Sequence, residues 1–335
     1  MTDSYFAIMP DEQQAVLGYA AERLGHAEHV LEKDIWVCWV LKALFSLTDA
    51  PPMAFKGGTS LSKVFNIINR FSEDIDITLD YRYFANGFDP FLSHHSKNKL
   101  KKFSEHLKQQ VNQYANDIIV PHIRSALNHL PSAESHTIRI DESGEKIWVS
   151  YPSVTEEADE YLKSEVLIEL GGRNVIDPNE LHIVKPYLSD LITELEFPAG
   201  PVVVLSPERT FWEKATLIHV ACRRGFRESA ARLSRHWYDL VMLAQHEIGR
   251  RAMVDRILLE DVIRHKSVFF NASYAGYEEC LAGRLVLLPN KEELSALKAD
   301  YQNMLSAEMI YGIAPSFEEL IRAIKQIEYQ INLWG

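Results

Sequence analysis

The sequence predicts an α+β fold, with a mixed, twisted sheet in the middle of the chain and helices before and after it. Three observations carry this. Residues 11–47 place apolar side chains at helical spacing, residues 74–80 alternate with the period of a strand, and from about residue 208 almost every segment returns to helical spacing.

Taken in order, "DEQQAVLGYAAERLG" offers Asp11 as a cap and Gly25 as a stop, and "HVLEKDIWVCWVLKALFSL" is a second, more apolar helix. Residues 49–52 end in two prolines and break it. "MAFK" is a short strand running into Gly57 and Gly58, and "TSLSKVFNIINRF" predicts a helix with Leu61, Val64, Phe65 and Ile68 on one face. In "SEDIDITLD", Asp74, Asp76, Thr78 and Asp80 face one way and Ile75, Ile77 and Leu79 the other. A helix is expected over 96–114, followed by strands in "HTIRI", "KIWVSYP" and "KSEVLIEL". After "PAGPVVVLSPER" the helices are "ERTFWEKATLIHVACR", "SAARLSRHWYDLVMLAQ", "MVDRILLEDVIRHKSVFF", "KEELSALKADYQNML" and "SFEELIRAIKQIEYQINLW". The expected organisation is N-terminal helices over 1–50, a sheet-bearing core over 51–205 and a helical domain over 206–335.

Composition narrows the functional classes. At 335 residues and 47% hydrophobic content the chain can bury full cores without staples. Cys38, Cys222 and Cys280 are widely separated, which predicts free thiols in a reducing, cytoplasmic setting. The N-terminal residues lack a basic start and apolar run, and no window approaches the roughly 18 apolar residues of a membrane span. A net charge of -12 argues against coating nucleic acid by bulk electrostatics. The histidines show no helical ligand spacing, so no zinc site is expected.

The chemistry concentrates in "KGGTSLSKVFNIINRFSEDIDITLD", residues 56–80. Residues two apart on a strand share a face, about 7 Å apart along the chain at a rise of about 3.3 Å per residue. Asp74 and Asp76 therefore set two carboxylates side by side, an arrangement that a hard, oxygen-seeking cation such as Mg2+ relieves. Gly57 and Gly58 let backbone approach phosphate oxygens, and Thr59 and Ser60 add hydroxyls. A phosphate cradle beside a metal-binding acid pair moves phosphoryl or nucleotidyl groups. The segment is not a Walker loop, since "GGTSLSK" places its serine before the lysine and lacks the second glycine.

These residues resemble the nucleotidyltransferase superfamily of the DNA polymerase β type, whose signature is a Gly-Gly or Gly-Ser turn, a helix and a strand bearing Asp-x-Asp. More narrowly, "FKGGTSLSKVF", "RFSEDIDI", "ERTFWEKATLIH" and "RHWYDLVML" resemble the AbiEii/AbiGii toxins of bacterial toxin–antitoxin and abortive-infection systems. The resemblance implies that Gly57, Gly58, Thr59, Ser60 and Lys63 hold the triphosphate, with Arg70 and Ser72 positioning phosphates or the acid strand. It implies Mg2+ on Asp74 and Asp76, Lys214 on the nucleotide phosphates, and Asp239 as a further polar site residue. A third carboxylate is expected in "KSEVLIELGGR". Glu165 and Glu169 share a face there, and Glu169, ahead of an expected turn at Gly171 and Gly172, is favoured. On residue pattern alone, Glu213 and Lys214 read instead as an exposed helical pair and Asp239 as the partner of Arg235. Trp212, Trp237 and Tyr238 read as core.

One basic patch interrupts the acidic chain: "CRRGFRESAARLSRHW" brings Arg223, Arg224 and Arg227 forward as RNA contacts, with Phe226 available to stack. The other, 97–102, reads as solvent-facing. The expected function is a Mg2+-dependent nucleotidyltransferase, the toxin of a toxin–antitoxin pair, attaching NMP from an NTP to RNA such as a tRNA 3′ end. A cognate antitoxin is the implied partner. The alternatives are a small-molecule or protein hydroxyl as acceptor, or a non-catalytic nucleotide- or RNA-binding module.

Overall fold

A computed structural model of the chain describes residues 4–131, 133–155, 163–226, 232–307 and 309–333. The chain divides into two compact units: Met1–Thr59 with Glu73–Phe88 and Ser104–Val204, and Ser60–Ser72 with Asp89–Phe103 and Leu205–Gly335.

The first unit opens with α1 (Pro10–Leu24) and α2 (Glu28–Phe45). α1 starts one residue before the expected Asp11 cap: the Glu12 carboxylate accepts the Met9 N–H at 3.0 Å, and Gly25 ends the helix at φ 69°. Nearly every side chain of α2 from Val30 to Leu44 is buried, so this helix is an interior element of its unit. Then come β1 (Met53–Lys56), α3 (Gly57–Lys63), β2 (Ile75–Asp80), the short α4 (Tyr81–Phe84), α5 (Lys97–Tyr114) and α6 (Val120–Leu127). The remaining strands are β3 (Thr137–Ile140), β4 (Lys146–Ser150), β5 (Glu165–Asn174), β6 (Asn179–Val184) and β7 (Gly200–Leu205). Together the strands form a seven-stranded mixed sheet in the order β3-β4-β5-β2-β1-β7-β6. β1 runs antiparallel to β2, β2 parallel to β5, and β4 antiparallel to β5.

The helical part comprises α7 (Pro207–Arg224), α8 (Ser234–Gln245), α9 (Glu247–Val254), α10 (Arg256–Phe269), α11 (Tyr277–Leu281), α12 (Lys291–Ser306) and α13 (Phe317–Asn332). Its core is built on Phe211, Trp212, Trp237, Tyr238 and Tyr301, each 0 or 1% exposed. Ser206 caps α7 through the Arg209 N–H, ahead of Pro207 in the first turn. α8 lacks a cap of its own. Asp300 of α12 supplies one, accepting the Arg232 and Ser234 N–H groups at 2.6 and 2.8 Å.

The α+β class and the mixed sheet are those expected from the sequence, and four local readings change. The helix over "TSLSKVFNIINRF" stops at Lys63; Asn66 turns left-handed at φ 51°. Residues 69–71 pair in extended form with 309–311 instead, through Phe71 N–H to Met309 O at 2.7 Å and Tyr311 N–H to Asn69 O at 2.8 Å. No turn forms at Gly171 and Gly172, because β5 continues through them to Asn174. "MVDRILLEDVIRHKSVFF" is broken at Asp255, whose carboxylate caps α10 by accepting the Leu258 N–H at 2.9 Å. Finally, 179–184 and 200–205, whose residue pattern does not mark a strand, form β6 and β7. Among the described residues no helix is long and apolar enough to cross a membrane.

Candidate active site

The acid pair lies in the first unit. Asp76 sits in β2 and Asp74 just ahead of its first residue, both half-buried. The register places Asp76 beside Lys56 of β1 on one side and beside Glu169 of β5 on the other. Glu169 in turn lies opposite Lys146 of β4. Directly opposed residues project from the same face of a sheet, so two carboxylates stand in one row with a lysine at each end.

Gly57, at the start of α3, shows why that position has no side chain. Its φ is 85°, and a Cβ there would fall 2.0 Å from Asp76 Oδ2 and 2.9 Å from its Cγ. The Asp76 carboxylate thus lies directly against the glycine backbone. The Thr59 hydroxyl donates to the Asp74 carbonyl at 2.6 Å, tying the first turn of α3 to the residue that carries the first carboxylate. Gly58 follows Gly57 in the same turn. Ser60 is fully buried, Lys63 closes α3 half-buried, and Ser72 is half-buried ahead of the acid segment.

The two glutamates of β5 are distinguished by their neighbours. Glu165 accepts from Arg139 Nη2 at 3.0 Å, towards the sheet edge. Glu169 is the one beside Asp76, and its Oε1 lies 2.9 Å from Lys146 Nζ. No local pattern marks Lys146, whose partner lies 23 residues further along the chain. Glu169, by hydrogen bond and charge, and then Asp74 raise the Lys146 pKa above its ordinary value.

A divalent cation would need hard oxygen donors, and Asp74, Asp76 and Glu169 supply only those. The donor chemistry fits. Among the described residues, however, no three His, Cys, Asp or Glu side chains are gathered closely enough to hold an ion as they stand, and Glu169 is turned to Lys146.

The second unit contains a separate charged cluster. Asp239 of α8 is completely buried and receives Arg70 Nε at 2.7 Å, Arg70 Nη2 at 2.8 Å and Lys214 Nζ at 2.8 Å. Arg70 Nη1 also donates to the Phe71 carbonyl at 2.9 Å. The pattern that exposes Lys214 on its helix is therefore corrected. Asp239 joins a segment 169 residues away, and Lys214 is 8% exposed. Burial alone would raise the Asp239 carboxyl; Arg70 and Lys214 override it and hold the group well below the usual carboxylate range. The nearby His236 is pushed well below its ordinary value, first by desolvation and then by Lys214 and Arg235. Two cations thus share one buried carboxylate.

At the end of α7, Arg223 is bound to Glu279 at 2.6 Å and to the Tyr274 carbonyl at 3.1 Å. Arg224 is exposed, with its guanidinium 5.7 Å from the Tyr274 ring centre. Phe226 is half-buried and packs edge-on against Trp237 at 5.9 Å. Arg227 lies outside the described residues.

No curated protein sequence matches the chain. Among solved structures it is similar to MenT4, a nucleotidyltransferase toxin from Mycobacterium tuberculosis H37Rv. The identity is 16% over 96% of this chain and 98% of that one, with a TM-score of 0.44, too low to bear on function. A profile described as the nucleotidyl transferase AbiEii toxin of type IV toxin–antitoxin systems matches residues 39–323, most of the chain. The chain belongs to this AbiEii family of nucleotidyltransferase toxins.

Proposed function

We propose that this nucleotidyltransferase transfers NMP from an NTP to a hydroxyl of RNA, with the tRNA 3′ end as the first acceptor to test, and that Mg2+ supports the reaction. The observation that carries this is the row in which Asp76 and Glu169 stand side by side, with Asp76 against the Gly57 backbone. Asp74, Asp76 and Glu169 are the residues that would hold Mg2+, which when bound would offset the negative charge of the phosphates. The chain's own contributions are distinct. Gly57 keeps the space beside Asp76 free of a side chain, and Thr59 fixes the Asp74 backbone. Gly58, Ser60, Lys63 and Ser72 remain proposed nucleotide contacts from the family motif.

Lys214 and Arg70, which both donate to the buried Asp239, remain proposed phosphate contacts from the family motif. The acceptor hydroxyl would attack the α-phosphorus as the bond to the β-phosphate breaks, releasing pyrophosphate. For an RNA acceptor the local support is exposed Arg224 beside Tyr274, a pairing suited to backbone phosphate and base. A cognate antitoxin and a cytoplasmic setting complete the proposal. Cys38, Cys222 and Cys280 form no disulfide, which accords with a reducing compartment.

The test is to incubate the purified chain with each α-labelled NTP, Mg2+ and total cellular RNA, beside the D74A/D76A double variant. Label should enter an RNA fraction only with the unsubstituted chain. Labelling of protein or small molecules but not RNA would refute the acceptor, and full activity in the double variant would refute the site.

A further inference from the structure

The row across the sheet holds more than acids. Lys56, Asp76, Glu169 and Lys146 are consecutive register partners on β1, β2, β5 and β4, so each carboxylate has a lysine on its outer side. Lys146 is the better defined of the two. Its ammonium lies 2.9 Å from Glu169 Oε1, and its side chain is 47% exposed, so it is free to swing on its four-carbon stem. An ammonium on this carboxylate does two things. It lowers the repulsion between Glu169 and Asp76, and it occupies an oxygen that a divalent cation would otherwise use.

Resting on the acid-set reading above, we propose that Lys146 is a positioning residue that guards Glu169. In the free protein its ammonium holds this carboxylate and competes with a divalent cation. When a triphosphate enters, the ammonium passes to phosphate oxygens and releases Glu169. The phosphate is the more highly charged partner, and it is accompanied by the cation that takes Lys146's place. Cation and nucleotide then bind with positive coupling, each easing the entry of the other, because both draw on the same exchange of partners. A site of this kind stays poorly loaded with cation until nucleotide is present.

The test uses the full chain and Mn2+ as the probe, with free Mn2+ followed by electron paramagnetic resonance. Half-exposed ion pairs contribute up to about 1 kcal/mol, so without nucleotide K146M should bind Mn2+ roughly three- to fivefold more tightly than the unsubstituted chain. K146R, which keeps the cation, should behave like the unsubstituted chain. With a mixture of non-hydrolysable analogues of the four NTPs, K146M should bind the analogues more weakly, and their stimulation of Mn2+ binding should shrink. Mn2+ affinity in K146M equal to or weaker than that of the unsubstituted chain, without nucleotide, overturns the proposal. Failure of the acid-set reading would look different: D74A/D76A would bind Mn2+ as well as the unsubstituted chain. Melting temperatures of both lysine variants check that the half-exposed position leaves the fold intact.

Discussion

Asp239→Asn is the substitution whose cost the structure specifies best. The carboxylate is 0% exposed and takes two bonds from Arg70 and one from Lys214. The amide keeps the shape and one acceptor, but it loses the charge and turns a donor towards a cation. Arg70, 3% exposed, and Lys214 are then left repelling each other out of water. Breaking a buried charged cluster this way costs about 3–5 kcal/mol. Lys214→Met is the informative control, because Arg70 still holds both carboxylate oxygens and only one charge-assisted bond is lost, about 1.5–2 kcal/mol. At about 2–4 °C per kcal/mol for chains of this order of size, the melting temperature should fall by on the order of 10 °C for D239N and about 4 °C for K214M.

Calorimetry gives the shifts, and hydrogen exchange of peptides from α7 and α8 places the loss in the second unit. The acid limb gives an independent check. Asp239 is held well below the usual carboxylate range when folded, so its contribution is complete above the unfolded pKa of about 4 and drains away as pH falls from there towards the native value. D239N should flatten that limb, whereas K214M should leave most of it. Equal losses in the two variants, or a D239N shift below about 2 °C, would refute the account of Asp239 as the shared anchor of two cations.

Two further outcomes follow from the first unit. Gly57→Ala would drive its Cβ into Asp76 Oδ2 at a backbone angle alanine disfavours. A loss of roughly 1–3 kcal/mol in stability and at least about tenfold in NMP transfer is expected, and a transfer rate unchanged in G57A would remove Gly57 from the site. Glu169→Gln should lower transfer by about 10- to 100-fold, whereas Glu165→Gln, which only disturbs the pair with Arg139, should leave transfer near that of the unsubstituted chain. The reverse ranking in the same labelled-NTP assay would move the third carboxylate to Glu165.

What was legible in the sequence was local. The strand carrying Asp76, the glycines before a helix and the burial of Trp212, Trp237 and Tyr238 all follow from spacing within a few residues. The structure departs from the local pattern where a distant segment decides. Gly171 and Gly172 look like a turn, yet a Cβ on Gly172 would lie 2.3 Å from Val111 Cγ2, so a close approach to α5 is what requires glycine there. The apolar run "PVVV" of β7 carries no alternation to separate a buried strand from a helix or loop. The helical spacing of "TSLSKVFNIINRF" lost to pairing with residues 309–311, which no local window contains.

The site divides in the same way, and the division has a physical reason. An Asp-x-Asp pair can be seen in sequence because the strand period sets its geometry. Which glutamate stands beside it, and which lysine covers that glutamate, depends on strand register between segments tens of residues apart. A slip of one residue between β2 and β5 would turn Glu169 to the opposite face from Asp76. That register is held by buried side chains on the opposite face, Ile75 and Ile77 on β2 and Ile168 and Leu170 on β5. The charged row is therefore positioned by the apolar face beneath it. Conservative changes to those isoleucines should affect transfer only as far as they loosen the register, whereas changes to Asp76 or Glu169 should affect transfer with the register intact.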